Sequence, residues 1–313
     1  MTTAFYSHAD CRAHDMGRGH PECPQRLAAI HDHLIATELA SALDLRDAPL
    51  ATAAQIERAH STRFISALQA SIEPLAASGK HLALDPDTSA GPGTWNAVLR
   101  SAGAALAATD AVIDGHAANA FCAVRPPGHH ATRHQAMGFC FFNNVAVAAR
   151  HALDARGFAR VAIIDFDVHH GNGTEDIIAG DERILMASFF QHPLYPYSGA
   201  MPKGTNMVNV PIPPYSRGSV VRAAIEQMWL PRLDDFKPQM LFLSAGFDAH
   251  REDELGQLGL IEADYSWITQ RMVDLAERHA QGRIVSCLEG GYNLGALARS
   301  VAAHLRALAG VAP

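Results

Sequence analysis

The sequence predicts one α/β domain built on a parallel sheet with helices on both faces. Two observations carry this. Short, continuously apolar, β-rich runs alternate with longer Ala- and Leu-rich segments at helical spacing, and strands that are apolar on both sides belong to a sheet covered on both sides. No internal repeat, low-complexity block or linker divides the 313 residues, so the reading is a single doubly wound domain over 1–313.

In chain order the pattern reads helix 95–113, strand 120–124 (AFCAV), helix 144–156, strand 161–165 (VAIID) and strand 184–189 (ILMASF). Helix 220–230, strand 240–244 (MLFLS), helix 265–279, strand 284–288 (IVSCL) and helix 294–308 follow. Composition agrees with a compact enzyme: 48% of residues are hydrophobic and 18% charged, neither a disordered nor a fibrous balance. The formal net charge of −7 disfavours a non-specific grip on nucleic acid, which needs a basic face. Five cysteines at 11, 23, 122, 140 and 287 form no CxxC pair, so reduced thiols are expected rather than a disulfide framework or a zinc knuckle. There is no apolar run of membrane-spanning length and no signal-peptide pattern at the start, so a cytoplasmic, soluble protein is expected.

In open parallel sheets, ligands bind beyond the carboxyl ends of the strands. The residues that follow four of the predicted strands carry the polar chemistry. Strand 120–124 runs into Arg125-Pro-Pro-Gly-His129-His130, strand 161–165 into Asp165-Phe-Asp167-Val-His169-His170, strand 240–244 into Ala-Gly-Phe-Asp248, and strand 284–288 into Glu289-Gly-Gly-Tyr292-Asn.

Asp165-Phe166-Asp167-Val168-His169 is the sharpest local signal. Alternate residues of an extended chain share a face, so Asp165, Asp167 and His169 point one way. Two carboxylates and an imidazole at a buried strand end are costly unless neutralised. A divalent cation does this, and Asp248 is the natural third ligand from a second strand. The imidazole favours Zn2+ over magnesium, which prefers oxygen ligands and retained waters; Fe2+ or Co2+ would fit the same donors. Taken alone, the D-x-D-x-H pattern is equally compatible with a salt-bridged strand end or a magnesium site. The tandem His129-His130, on a loop stiffened by two prolines, suits a base that takes a proton from water and delivers it to a leaving amine. Two surface histidines are the plainer alternative. Tyr292, on a glycine turn, could donate to a developing oxyanion, and His170, on the opposite side of its strand, reads as structural.

These residues together resemble the histone deacetylase superfamily, which includes acetoin-utilisation proteins and acetylpolyamine amidohydrolases. The matching stretches are His20-Pro-Glu-x-Pro-x-Arg26-Leu, Arg125-Pro-Pro-Gly-His-His, Gly138-Phe-Cys-Phe-Phe-Asn-Asn144, Asp165-Phe-Asp-Val-His-His-Gly-Asn-Gly-Thr174, Ser244-Ala-Gly-Phe-Asp248 and Glu289-Gly-Gly-Tyr292, in order along almost the whole chain. The resemblance implies an arginase/deacetylase-like fold whose central parallel sheet has about eight strands. It implies zinc ligands at Asp167, His169 and Asp248, a general base and acid at His130 assisted by His129, and a carbonyl-polarising phenol at Tyr292. Asp165 would then be the carboxylate behind His129 rather than a ligand, a distinction strand periodicity does not make. The backbones of Asp165, Asp167, His169 and Phe189 with the Ser188 hydroxyl resemble a monovalent-cation (K+) site. Phe139 and Tyr195 match the aromatic walls of an acyl-lysine channel, Gly138 a carbonyl near the substrate amine, Asp87 a rim carboxylate and Leu255 the gatekeeper position, with Glu254 beside it. Arg26 matches a position near an internal acetate-exit cavity, and His14 and His20 a loop flanking the channel mouth. Asn172 and the Ser-Ala-Gly-Phe-Asp-Ala run lean toward class II members.

The resulting expectation is a metal-dependent amidohydrolase that cleaves the acetamide of N-acetyl-lysine in proteins or peptides. A small acetylated amine such as an acetylpolyamine is the competing substrate, and a catalytically silent acyl-lysine binding module is the reading from a different class. The resemblance also leaves a homo-oligomer open.

Overall fold

The chain's computed structural model describes residues 2–311. Its strands, in chain order, are β1 (Thr3–Ser7), β2 (Leu43–Asp47), β3 (Leu82–Ala83), β4 (Ser89–Ala90), β5 (Asn119–Cys122), β6 (Val161–Asp165), β7 (Ile184–Gln191), β8 (Met207–Ile212), β9 (Leu241–Ala245) and β10 (Ile284–Leu288). Strands β3 and β4 form a small antiparallel ladder. The other eight make one sheet in the order β2-β1-β5-β10-β9-β6-β7-β8, parallel at every pairing. The expected parallel sheet of about eight strands is thus present.

Its four middle strands, β5, β10, β9 and β6, are buried along their whole length, which is why they read as continuous apolar runs. Helices cover both faces, and the two-residue period of the strands shows it. Phe121 and its register partner Phe5 pack toward His304 of helix Leu294–Ala309 and His31 of helix Gln25–Ala36. Tyr6, one residue further on, instead donates its hydroxyl to Ala107 O of helix Thr94–Ile113.

The chain lays β1 and β2 toward one edge, returns across β1 as β5, and then builds β6, β7 and β8 toward the other edge. Strands β9 and β10 fill the gap between β5 and β6. This reversal puts the four functional strand ends side by side in the crevice where such sheets bind ligands.

One predicted helix is longer than its pattern suggests. The segment over 220–230 is found as Gly218–Ala224, a π-turn over Ile225–Trp229, and Leu230–Phe236 in direct succession. Proline inside a helical pattern normally ends the helix, because it lacks an N–H and its ring crowds the preceding turn. Here the wider π-turn ends at Trp229, two residues before Pro231, and the helix continues through Leu230–Phe236.

Candidate metal centre and active site

Strand β6 ends at Asp165, and the chain bends there because Asp165 Oδ1 accepts the Asp167 N–H at 3.1 Å. The bend separates two carboxylates that strand periodicity puts on one face. Asp167 turns into the crevice, where Gly290 N–H binds its Oδ2 at 2.8 Å. On the neighbouring strand end, Val168 N–H binds Asp248 Oδ1 at 2.9 Å. The His169 N–H also binds Asp167 Oδ1 at 2.8 Å, so backbone amides hold both acids in place, with Asp167 Oδ1 at 3.1 Å and Asp248 Oδ2 at 3.2 Å from His169 Nδ1. Donor atoms from Asp167, His169 and Asp248 lie within 4.8 Å of one another, the one such group of His, Cys, Asp or Glu among the described residues. Glycine is required on the wall behind them, since a Cβ on Gly290 would overlap Asp248 Oδ2 and one on Gly246 would overlap Asp167.

The charges show what this centre accepts. Burial, reinforced by the nearby Asp167, raises the Asp248 carboxyl to about 7. Against burial, bonds to both acids raise His169 to about 10. Two buried acids converging on one imidazole attract a positive charge, and two carboxylate oxygens with a nitrogen form a donor set suited to a divalent metal. The residues therefore fit such an ion.

Asp165 faces away from the triad and binds His129 Nδ1 at 3.0 Å. Burial works against charge on His129, but Asp167 and Asp165 outweigh it and raise the imidazole to about 10. His130 is the opposite case. Burial first, then the positive His129 and His169, hold it well below the ordinary histidine range. Its ring lies 4.0 Å from that of His129, centroid to centroid, and its Nδ1 meets Asn172 Oδ1 at 2.7 Å. The tandem histidines therefore differ in charge, a cation behind and a neutral base in front.

A slot of about 250 Å³ leads from the surface to His130 and His169. Phe139, Leu194, Tyr195 and Leu255 supply apolar walls, and Asp87, Gly138 and Tyr292 complete the lining. Gly138 and Phe139 are the two centre residues of a turn closed by paired Met137–Cys140 bonds of 3.0 Å, and both have positive φ, +57° and +67°. That primed turn strains the non-glycine Phe139, and the Thr88 hydroxyl holds it by accepting the Phe139 N–H at 3.0 Å. His20 packs edge-on against Phe139 at 4.7 Å and binds Asp87 O at 3.1 Å, so it braces the wall. Tyr292 also meets Phe139 edge-on, at 5.8 Å. Burial raises the Tyr292 phenol well above its ordinary value despite the Arg26 charge, keeping it a proton donor.

Other expectations are placed differently. His14 is fully buried, bound to Thr94 Oγ1 at 2.8 Å, and does not flank the mouth: the chain turns inward there to complete an ion network around Glu22, Arg125 and Arg26. Leu255 lines the slot while the neighbouring Glu254 is exposed. His170 is buried against Phe190 and paired with Glu175 at 3.1 Å, a structural placement. Ser188 pairs in register with Asp165 and, like Phe189, is fully buried. Arg26 donates to Glu289 O at 2.5 Å and Gly291 O at 2.6 Å, and its guanidinium stacks 4.9 Å from the Tyr292 ring centre. Sequence reasoning missed Glu289, whose Oε2 accepts Gly128 N–H at 2.6 Å and His129 N–H at 3.1 Å while Oε1 accepts the Ser244 hydroxyl at 3.0 Å. It locks the histidine loop to β10, and a carboxylate ending an otherwise apolar strand was the available signal.

The profile of the histone deacetylase domain matches residues 20–308. A histone deacetylase-like amidohydrolase from Pseudomonas aeruginosa is 39% identical over 88% of this chain and 73% of its own length. Polyamine deacetylase HDAC10 from Mus musculus is 36% identical over 99% of this chain and 48% of its length. The crystal structure of the HDA15 HD domain superposes with a TM-score of 0.91 at 30% identity, covering 100% of this chain and 91% of that one. Fold and relatives define the class first: a hydrolytic, amide-cleaving α/β enzyme. Within that class, the chain belongs to the histone deacetylase family.

Proposed function

We propose that the chain hydrolyses the acetamide of N-acetyl-lysine in proteins or peptides, giving lysine and acetate. The observation that carries this is the slot: narrow, walled by Phe139, Tyr195 and Leu255, and leading to the triad of Asp167, His169 and Asp248. Two aromatic walls suit a methylene chain, and the carboxylate of Asp87 suits the peptide N–H groups around it.

Zn2+ held by Asp167, His169 and Asp248 would supply Lewis acidity toward the amide oxygen and the attacking water. His130, with Nδ1–H donated to Asn172, presents Nε2 to accept the water proton and then returns it to the leaving amine. His129, hydrogen-bonded to the Asp165 carboxylate, assists electrostatically as negative charge develops. The Tyr292 phenol donates to the carbonyl oxygen, and Gly138 offers its carbonyl to the substrate amide N–H. A K+ ion near Ser188 and Phe189 would brace Asp165, Asp167 and His169 from behind. Free, largely buried cysteines support a reducing, cytoplasmic setting.

A small acetylated amine is the second reading, favoured by the likeness to the mouse polyamine deacetylase. Turnover of an acetyl-lysine peptide against N-acetylputrescine separates the two. The proposal requires the higher kcat/KM for the peptide; a large preference for the acetylpolyamine overturns it.

A further inference from the structure

The proposed reaction needs the Tyr292 phenol at one fixed point, yet its segment is neither helix nor strand. Residues 289–293 link β10 to helix Leu294–Ala309, and Gly291 sits at φ +121°. Its first residues still pair with the chain at the end of β9, through Glu289 N–H to Ala245 O and Phe247 N–H to Gly290 O; the remaining backbone groups must be satisfied otherwise. Arg26 takes the carbonyls of Glu289 and Gly291. The last two amides go to Asp253, whose Oδ2 accepts Tyr292 N–H at 2.6 Å and Asn293 N–H at 3.0 Å. Its other oxygen, Oδ1, accepts Leu255 N–H at 3.0 Å.

Asp253 is only 6% exposed and is itself anchored, its N–H bound to His250 O at 2.9 Å. One carboxylate therefore joins the loop that follows Asp248 and carries the Leu255 wall to the loop that carries Tyr292. We propose that Asp253 is a positioning residue which sets the Tyr292 phenol against the Leu255 wall of the slot; its effect on rate rests on the deacetylase reading. Both oxygens are engaged and all three partners are donors. A carboxylate satisfies such a set, whereas an amide has one acceptor oxygen and turns an N–H toward at least one backbone N–H. Asp253→Asn, nearly identical in shape, is therefore the disruptive change.

The test is a double-mutant cycle on acetyl-lysine peptide hydrolysis, joined to amide hydrogen exchange on the same metal-loaded proteins. Asp253→Asn should lower kcat by about 10- to 100-fold, as misplacement of a reacting group does, with KM and metal content little changed. In a Tyr292→Phe background the same change should cost less than about twofold, because contacts that act through one group are not additive. Exchange of the Tyr292 and Asn293 amides should quicken about tenfold or more while β10 amides stay unchanged. The proposal is overturned if the losses multiply in both backgrounds, if exchange is unaltered, or if Asp253→Asn does not fold, since a strut confined to two loops leaves the sheet intact. Should the wild type cleave no acylated amine, the deacetylase reading fails while exchange still judges the strut.

Discussion

His130 Nδ1 lies 2.7 Å from Asn172 Oδ1, so the amide oxygen accepts the Nδ1 proton and leaves Nε2 as the basic nitrogen facing the slot. Asn172 also donates to Met137 Sδ at 3.4 Å, which orients its amide. Asn172→Leu should therefore lower kcat by about 10- to 100-fold, the usual cost of losing a partner that orients a functional imidazole. Steady-state kinetics with a thermal melt checks this: the rate should fall while the melting temperature stays near that of the wild type.

Tyr292 lines the slot beside His169, and its phenol is held as a proton donor. Tyr292→Phe should reduce kcat by about 100- to 1,000-fold, the range for removing one oxyanion donor. Substrate binding and metal content, read by calorimetry and elemental analysis, should be nearly unchanged.

Leu255 lines the slot and Glu254 points to solvent. Leu255→Glu places a carboxylate at the rim, where it attracts the free ammonium of a monoacetylated diamine and disfavours a neutral peptide backbone. The ratio of kcat/KM for N-acetylputrescine over an acetyl-lysine peptide should rise by about tenfold or more, the effect of about 1.4 kcal/mol of rim electrostatics.

Two buried histidines that do not line the slot shape the acid limit of stability. Burial lowers both His60 and His304 from 6.5 to about 3, and both are satisfied as neutral rings. His304 lies between Thr269 Oγ1 at 2.6 Å and Ser286 Oγ at 2.9 Å; His60 lies between Thr132 O and Asn143 N. Below pH 6.5 the unfolded chain takes up these protons and the folded chain does not, so their contribution is complete above 6.5 and drains away as pH falls toward 3. At pH 5 the loss is about 2 kcal/mol for each. Denaturant unfolding at pH 7 and pH 5 should show His304→Gln losing about 2 kcal/mol less than the wild type across that interval; equal losses would contradict it.

The legible parts of this molecule share one physical cause. β5, β6, β9 and β10 are buried on both faces, so they read as unbroken apolar runs, and each ends in an abrupt polar segment. The outer strands β2 and β8 alternate between buried and exposed residues, and β1 is a five-residue run; they, with helix Gln25–Ala36, carry no comparable signal. At the site, periodicity could place Asp165 and Asp167 on one surface but could not foresee the bend that turns one toward His129 and the other toward His169. Glu289 marked itself only as a carboxylate ending an apolar strand, and Asp253 carried no mark at all. Asp253 binds backbone N–H groups, and a backbone partner leaves no trace in sequence.

The central claim is that Asp167, His169 and Asp248 hold a divalent metal on which amide cleavage depends. Acetate release from an acetyl-lysine peptide, followed as chelated protein is titrated with Zn2+, tests it most directly. Activity should vanish on chelation and return in proportion to metal, saturating at one ion per chain, with Asp248→Ala unable to recover. Full activity in metal-free protein, or no acetate from the metal-loaded wild type with any acylated amine, would contradict it.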